Sequence, residues 1–262
     1  MATIEAEHRM PNAELAVVRR IEAVGFRSFP ATATHYDGTW AIRQTAAHPS
    51  KRLNSVTPLD PSDTSDMARR LELARQRFDA FGRPLVMRLT PLAPPELSAM
   101  LDADGWERFD ETVVMAGPID REMFAGAVDQ LPLQNIGRWV DAWISLSGAD
   151  PSRKAGMVEV ISAIKAESGL FLVEEPAGIP ASAVRCVRDG DLAGIFEMAT
   201  GTAIRRRGHA ANVLGSALKW AASRGAATAW LQVVSDNHSA IALYERFGFF
   251  ELYRYDYRQA PR

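Results

Sequence analysis

Residues 204–225, IRRRGHAANVLGSALKWAASRG, set three arginines, a glycine, a histidine and an alanine at the start of an amphipathic helix. Leu214, Leu218 and Ala221 form one stripe with Val213 and Ala217 beside it, the spacing of a helix that lays one face on a sheet. The start of the helix poses a separate problem. Its first N–H groups have no intrahelical acceptor and carry partial positive charge, so an anion satisfies them on both counts. Gly208 and Ala210 leave room for an anion to come close to the backbone, and Arg205, Arg206 and Arg207 add charge around it. A cradle of successive N–H groups suits a pyrophosphate better than a single carboxylate.

Further on, residues 229–251, AWLQVVSDNHSAIALYERFGFFE, read as a strand, Asn237, a short helix carrying Tyr244, a stop at Gly248 and the start of a last strand at Phe249. Asn237 is placed to cap its helix. Tyr244 lies two turns on and emerges on the same face.

In this order, the two segments resemble the GNAT superfamily of N-acetyltransferases. Arg205, Gly208 and Ala210 fit that family's Q/R-x-x-G-x-G/A pyrophosphate loop; Asn237, Ala240, Leu243, Tyr244, Glu245, Gly248 and Phe249 look like its C-terminal signature. The resemblance covers roughly residues 169–257. It implies an α+β fold, the GNAT fold, with a twisted, mostly antiparallel central sheet flanked by helices. Acetyl-CoA is implied as cosubstrate, with no metal, since neither His209 nor His238 has partners at ligand spacing. The strands before and after the loop are expected to splay around the pantetheine arm. Met198, Ala199 and Thr200 would then offer backbone groups to its amides, and an N–H there would polarise the thioester carbonyl. Residues 206–210, His209 included, would hold the diphosphate, and Asn237 would reach the pantetheine arm. The usual Val-x-Pro-x-aromatic approach to the loop reads Thr200, Gly201, Thr202, Ala203, Ile204 here, a departure that loosens the approach.

Tyr244 is the expected general acid for the departing thiolate, against a plain reading as a core aromatic. The general base is harder to place. In the ribosomal-protein N-terminal acetyltransferases, which this strand resembles, a Glu stands at the position of Gln232, and glutamine cannot take a proton. Glu197 is the replacement expected here, on a strand face shared with Ala193, Ile195 and Ala199; its plain reading is an Arg-paired structural Glu. The implied acceptor is a small-molecule or peptide amine. A non-catalytic acyl-CoA-binding module that keeps the grip and lacks a base is the other reading that Gln232 leaves open.

The chain before this region has the same rhythm. Helix 14–26, strands at 39–44 and 52–57, a helix over 64–81, strand 84–90, helix 94–105 and strand 111–117 are followed by helices at 134–146 and 153–166 and strands at 170–175, 181–189 and 191–200. Two tandem copies are expected, residues 1–118 a degenerate GNAT-like domain and 119–262 the coenzyme-binding catalytic domain. GTWAIR and RLNSV look like the front half of two-domain members. Where the first copy should carry its loop it has Asp60, Asp63 and Asp66 and no glycine, so phosphate is repelled and one acetyl-CoA per chain is expected. Trp40, Arg43, Arg52 and Asn54 are its candidates for acceptor contacts.

The bulk properties agree with an enzyme of this kind. The 262 residues are 47% hydrophobic, enough for a large core, and 30 basic against 32 acidic residues give a net charge of −2, which offers no surface for nucleic acid. The polar opening MATIEAEHRMPNAEL lacks an apolar leader region, and no apolar run is long enough to span a membrane. A cytoplasmic protein is expected. The lone Cys186 reads as a small buried strand residue.

Overall fold

The computed structural model describes residues 13–261; the opening segment read for a leader lies, up to residue 12, outside the described residues. The first half runs α1 (Ala13–Ser28), β1 (Ala33–Asp37), β2 (Trp40–Gln44), β3 (Ser55–Pro58), α2 (Met67–Ala80), β4 (Val86–Leu89), α3 (Pro95–Ala103) and β5 (Glu107–Pro118). The second runs α4 (Ile136–Ser147), α5 (Lys154–Ser162), β6 (Glu167–Glu175), β7 (Ile179–Asp189), β8 (Leu192–Thr200), α6 (His209–Ser223), β9 (Thr228–Val234), α7 (His238–Arg246) and β10 (Phe250–Gln259).

Two elements differ from expectation. Strand β1 pairs with β2 through a two-residue turn at Gly38 and Thr39, with Asp37 opposite Trp40. Glycine at the first of the two turn positions, Gly38 with φ of 56°, is the sequence signal for such a hairpin. The helix expected to reach residue 166 stops at Ser162, and Ile164 and Ala166 leave it to pack on the core beneath α1.

All ten strands form one sheet in the order β1-β2-β3-β4-β10-β5-β9-β8-β7-β6. Only β3 with β4 and β8 with β9 are parallel; every other pair is antiparallel. Exchanging β1–β5 with β6–β10 reverses this order and changes nothing else, so the two halves are related by a pseudo-two-fold axis. The central strands are traded across it: β10 pairs with β4 of the first half, and β5 pairs with β9 of the second. A boundary after residue 118 falls at the end of β5, and the sheet runs continuously across it.

Alternation along the strands sorts the core into two faces. Val113 and Met115 of β5 pack under α6 with Leu214, Ala217 and Leu218, as the helical stripe requires. Val114 and Ala116 face the other way, into a core with Val18, Ile21 and Val24 of α1, Trp230, and the tyrosines 253, 255 and 257 of β10. Cys186 is buried in the first of these cores, and burial pushes its thiol up to about 12, which keeps it protonated and inert. Among the described residues no helix is long and apolar enough to cross a membrane.

Candidate active site

Strands β8 and β9 pair from Leu192–Thr228 to Ile195–Leu231 and no further. Beyond that rung β8 stays with β7, where Ser182 faces Thr200, and β9 stays with β5, where Val114 faces Gln232. Each strand keeps its outer partner and gives up its inner one, which opens a fork in the sheet.

On the α6 face of the fork lies a cleft of about 360 Å³. Met198, Ala199 and Thr200 of β8 line one side, Arg205, Arg206, Gly208, His209 and Ala210 the start of α6, and Asn237 and Tyr244 the side of α7. The loop is built to expose backbone: Arg206 and Gly208 both have left-handed conformations, with φ of 62° and 84°. No side chain caps α6 at Gly208. A Cβ added there would meet nothing within 4 Å, so the space above the helix terminus is open. These features fit a diphosphate. Arg207 stands apart, because its guanidinium donates to Glu175 at 3.0 Å and does not line the cleft. Of the three arginines expected around the anion, Arg205 and Arg206 line the cleft and Arg207 does not. The His209 ring likewise faces Glu175, at 3.3 Å.

The Asn237 carboxamide accepts from Ala240 N at 3.2 Å, the cap its position requires, while the residue also lines the cleft. Tyr244 is buried, its ring against Phe249 at 5.9 Å, and its hydroxyl donates only weakly, to Met198 Sδ at 3.5 Å. Burial pushes the phenol up to about 12, so it is a proton carrier at neutral pH. A sulfur atom is thus already the partner of this hydroxyl, inside the cleft.

Glu197 is placed elsewhere than expected. The register of β7 with β8 jumps from Ala183–Ala199 to Arg185–Phe196, which inserts an extra residue into β8, and Glu197 takes a φ of 48°. The bulge takes Glu197 out of the row of Ala193 and Ile195. Its Oε2 accepts from Arg185 Nε at 2.7 Å, and its Oε1 lies 3.9 Å from Arg52. Arg185, fully buried, also donates to Ser28 O at the end of α1, so this pair lies on the α1 face. Gln232 is on that face too, accepting from the Tyr255 hydroxyl at 2.9 Å.

Of the four first-half candidates, the fork gathers two. Arg43 and Arg52 line a small cavity with Phe196 and Gln232, the first residues past the last rung of the fork. Trp40 is core, with Arg70 stacked on it at 4.3 Å. Asn54 is structural, donating to His48 O and accepting from Thr45 N. Sequence reasoning missed Glu22, Arg88 and Arg185 on this face. The available signal was an arginine inside an apolar strand, as in VMRL and AVRCV.

A family model described as "Probable histone acetyltransferase Rv0428c C-terminal" matches residues 15–258. The "Uncharacterized N-acetyltransferase YobR" of Bacillus subtilis (strain 168) is 25% identical over 249 residues, covering 92% of this chain and 98% of that protein. Among solved structures, a GCN5-related N-acetyltransferase from Kribbella flavida superposes with a TM-score of 0.68 at 18% identity, over 94% of this chain and 96% of the other. A tandem GNAT protein from the clavulanic acid biosynthesis pathway gives 0.62 at 16% identity, over 92% and 88%. With the forked sheet, the open start of α6 and a family match across nearly all of its length, the chain belongs to the GNAT superfamily of N-acetyltransferases and is an acyltransferase.

Proposed function

We propose that the protein transfers the acetyl group of acetyl-CoA directly to an amine, through one coenzyme site per chain. The observation that carries this reading is the single cleft that joins an uncapped, left-handed helix start to a fork in the sheet and to a buried tyrosine hydroxyl. Backbone N–H groups at 206–210 hold the diphosphate. The unpaired inner edge of β8 at 198–200 orients the pantetheine and polarises the thioester carbonyl. The amine nitrogen attacks that carbonyl carbon; the C–N bond forms, the C–S bond breaks, and the sulfur takes the Tyr244 proton. A phenol near 12 facing a thiol near ~8.5 is mismatched by ~5 kcal/mol in water. Burial of the thiolate raises its own proton affinity and narrows that gap. The proton released by the amine goes to Glu197, through the Oε1 that Arg185 leaves free.

The division of labour follows from the matching place in the first half. There Asp66 precedes the first residue of α2, and side chains occupy the approach: Asp63 accepts from Thr39 N at 3.1 Å and from Arg70 at 3.0 Å. We therefore assign residues 1–118 to a degenerate copy and 119–262 to the catalytic one.

The test is thiol release from acetyl-CoA across a panel of amines, with calorimetric titration of the coenzyme. Turnover and one site per chain are expected. Two equivalent sites would overturn the assignment of the halves, and coenzyme binding without turnover on any amine would reduce the protein to a binding module.

A further inference from the structure

The face of the fork opposite the coenzyme cleft carries more buried positive charge than its carboxylates neutralise. Glu22 is fully engaged by Arg88, whose two terminal nitrogens donate to its two oxygens at 2.5 and 2.9 Å, and by the Tyr253 hydroxyl at 2.7 Å. Glu197 is engaged by Arg185. Arg43 remains. It is 3% exposed, and its terminal nitrogens donate to two backbone carbonyls, Arg52 O and Phe29 O. Among the described residues no carboxylate pairs with it. The Nε atoms of Arg43 and Arg88 are both buried without a partner. Arg52 adds a further cation whose nearest carboxylate oxygen is 3.9 Å away.

Burying an unpaired guanidinium is costly unless an anion compensates it. Burial, and then the neighbouring charge of Arg88, push Arg43 down to about 10, and the nearby Glu22 carboxylate offsets this only in part. Its compensation has a place to sit. Arg43, Arg52 and Arg88 wall a chamber of about 20 Å³ together with Glu22, whose carboxylate is already taken by Arg88 and Tyr253, and Phe196 and Gln232 bound it on the fork side. That volume holds about one water. Phe26 stands at its border: the half-buried ring covers the Arg43 guanidinium at 4.3 Å and lines the chamber as well as two outer clefts of about 620 and 350 Å³.

Building on the acetyl-transfer reading above, we propose that this chamber is the acceptor's recognition site and that it takes a small amine bearing a carboxylate. The carboxylate lies against Arg43 and Arg88, the amine faces the fork, and Phe26 swings aside to admit it. A planar carboxylate matches guanidinium N–H groups, two of which are here unsatisfied. A cationic chain such as a lysine side chain meets uncompensated arginines and is disfavoured.

The experiment compares matched acceptors on the full chain: the free amino acids, their α-amides, the corresponding amines without the carboxylate, amino-alkyl phosphates, and a lysine-bearing peptide. Thiol release is the first readout. The second is binding of the N-acetylated products to CoA-loaded protein by calorimetry, which does not need turnover. Carboxylate-bearing members should be favoured in kcat/KM, or in product binding, by at least about tenfold over their amides. Arg43→Gln should raise KM for them with kcat less affected, erase the preference over the amides, and leave acetyl-CoA affinity unchanged. Phe26→Ala should open the chamber and speed association of bulkier members. Equal use of acids and amides by the wild-type protein, or preference for the lysine peptide or the phosphates, would overturn the proposal while leaving acetyl transfer intact. Failure to bind acetyl-CoA at all would instead overturn the reading it rests on.

Discussion

At the scale of single residues, the proposed chemistry rests on backbone exposure at Gly208 and on one proton at Tyr244. With φ of 84° and open space above it, Gly208 makes a left-handed turn and would be the floor of the proposed anion site. Gly208→Glu should abolish coenzyme binding by calorimetry. It should also lower the melting temperature by a few degrees, since a side chain in this conformation costs about 1–2 kcal/mol. Gly82→Glu is the control, with φ of 73° and equally open space: the same loss of stability with coenzyme affinity intact. Equal coenzyme binding by both variants would remove the pyrophosphate assignment. For Tyr244→Phe, kcat should fall by about 10² to 10⁴ while acetyl-CoA still binds. Because the phenol is held up to about 12, it stays protonated below that pH, and any alkaline limb of the kcat profile below about pH 11 should be present in the phenylalanine variant as well. A limb that vanished with the hydroxyl would show a much lower value in the complex.

At the scale of elements, the proposed division of labour rests on the β8 bulge and the start of α2. The bulge turns Glu197 toward Arg185, so Glu197→Gln keeps an acceptor for Arg185 but loses the proton site. The expected outcome is a lower kcat/KM with acetyl-CoA affinity retained. Full activity would show that the carboxylate serves only as the partner of Arg185. In the first half, hydrogen bonds from Thr39, then Arg70, hold the Asp63 carboxyl down to about 2 from an ordinary 3.8. A depressed carboxylate contributes stability that is present above its unfolded value and lost as pH falls through the folded one. The melting temperature of the wild-type protein should therefore exceed that of Asp63→Asn by a constant margin above about pH 5, and the margin should shrink between about pH 4 and pH 2. A margin independent of pH would place the contribution of Asp63 in packing alone.

At the scale of the whole molecule, the traded strands make the two halves one cooperative body. Removing either half would strip a central strand from the other, and side chains lock the exchange: Glu22 of α1, Arg88 of β4 and Tyr253 of β10 meet in one buried cluster. The halves also touch backbone to backbone, because a Cβ at Gly156 of α5 would lie 1.8 Å from Ala47 O. Heat should unfold the chain in a single transition with calorimetric and van't Hoff enthalpies equal. Gly156→Ala should lower that transition as a whole, by the equivalent of at least about 1–3 kcal/mol, since a backbone carbonyl yields less readily than a side chain. Two resolved transitions would mean that the halves fold independently despite the shared sheet.

The local chemistry of the coenzyme side was legible in the sequence because it is written in consecutive residues. Gly208 and Arg206 turn the backbone, Asn237 caps, and Tyr244 follows two turns later; each acts within a few positions of the segment that reveals it. The apolar periodicity of α6 and the strand pattern around it carry the fold for the same reason. The proposed acceptor side could not be read this way. Arg43, Arg88 and Arg185 lie on three strands from both halves, and only the exchange of β5 and β10 brings the α1 face of one half over the fork of the other. One extra residue in β8 then moved Glu197 out of its row, a shift of register invisible to alternation counted along the chain. Backbone exposure and helix capping are properties of short segments, so the sequence determined the proposed coenzyme grip; charge balance in a buried chamber is a sum over distant residues, and the tertiary structure alone decided it.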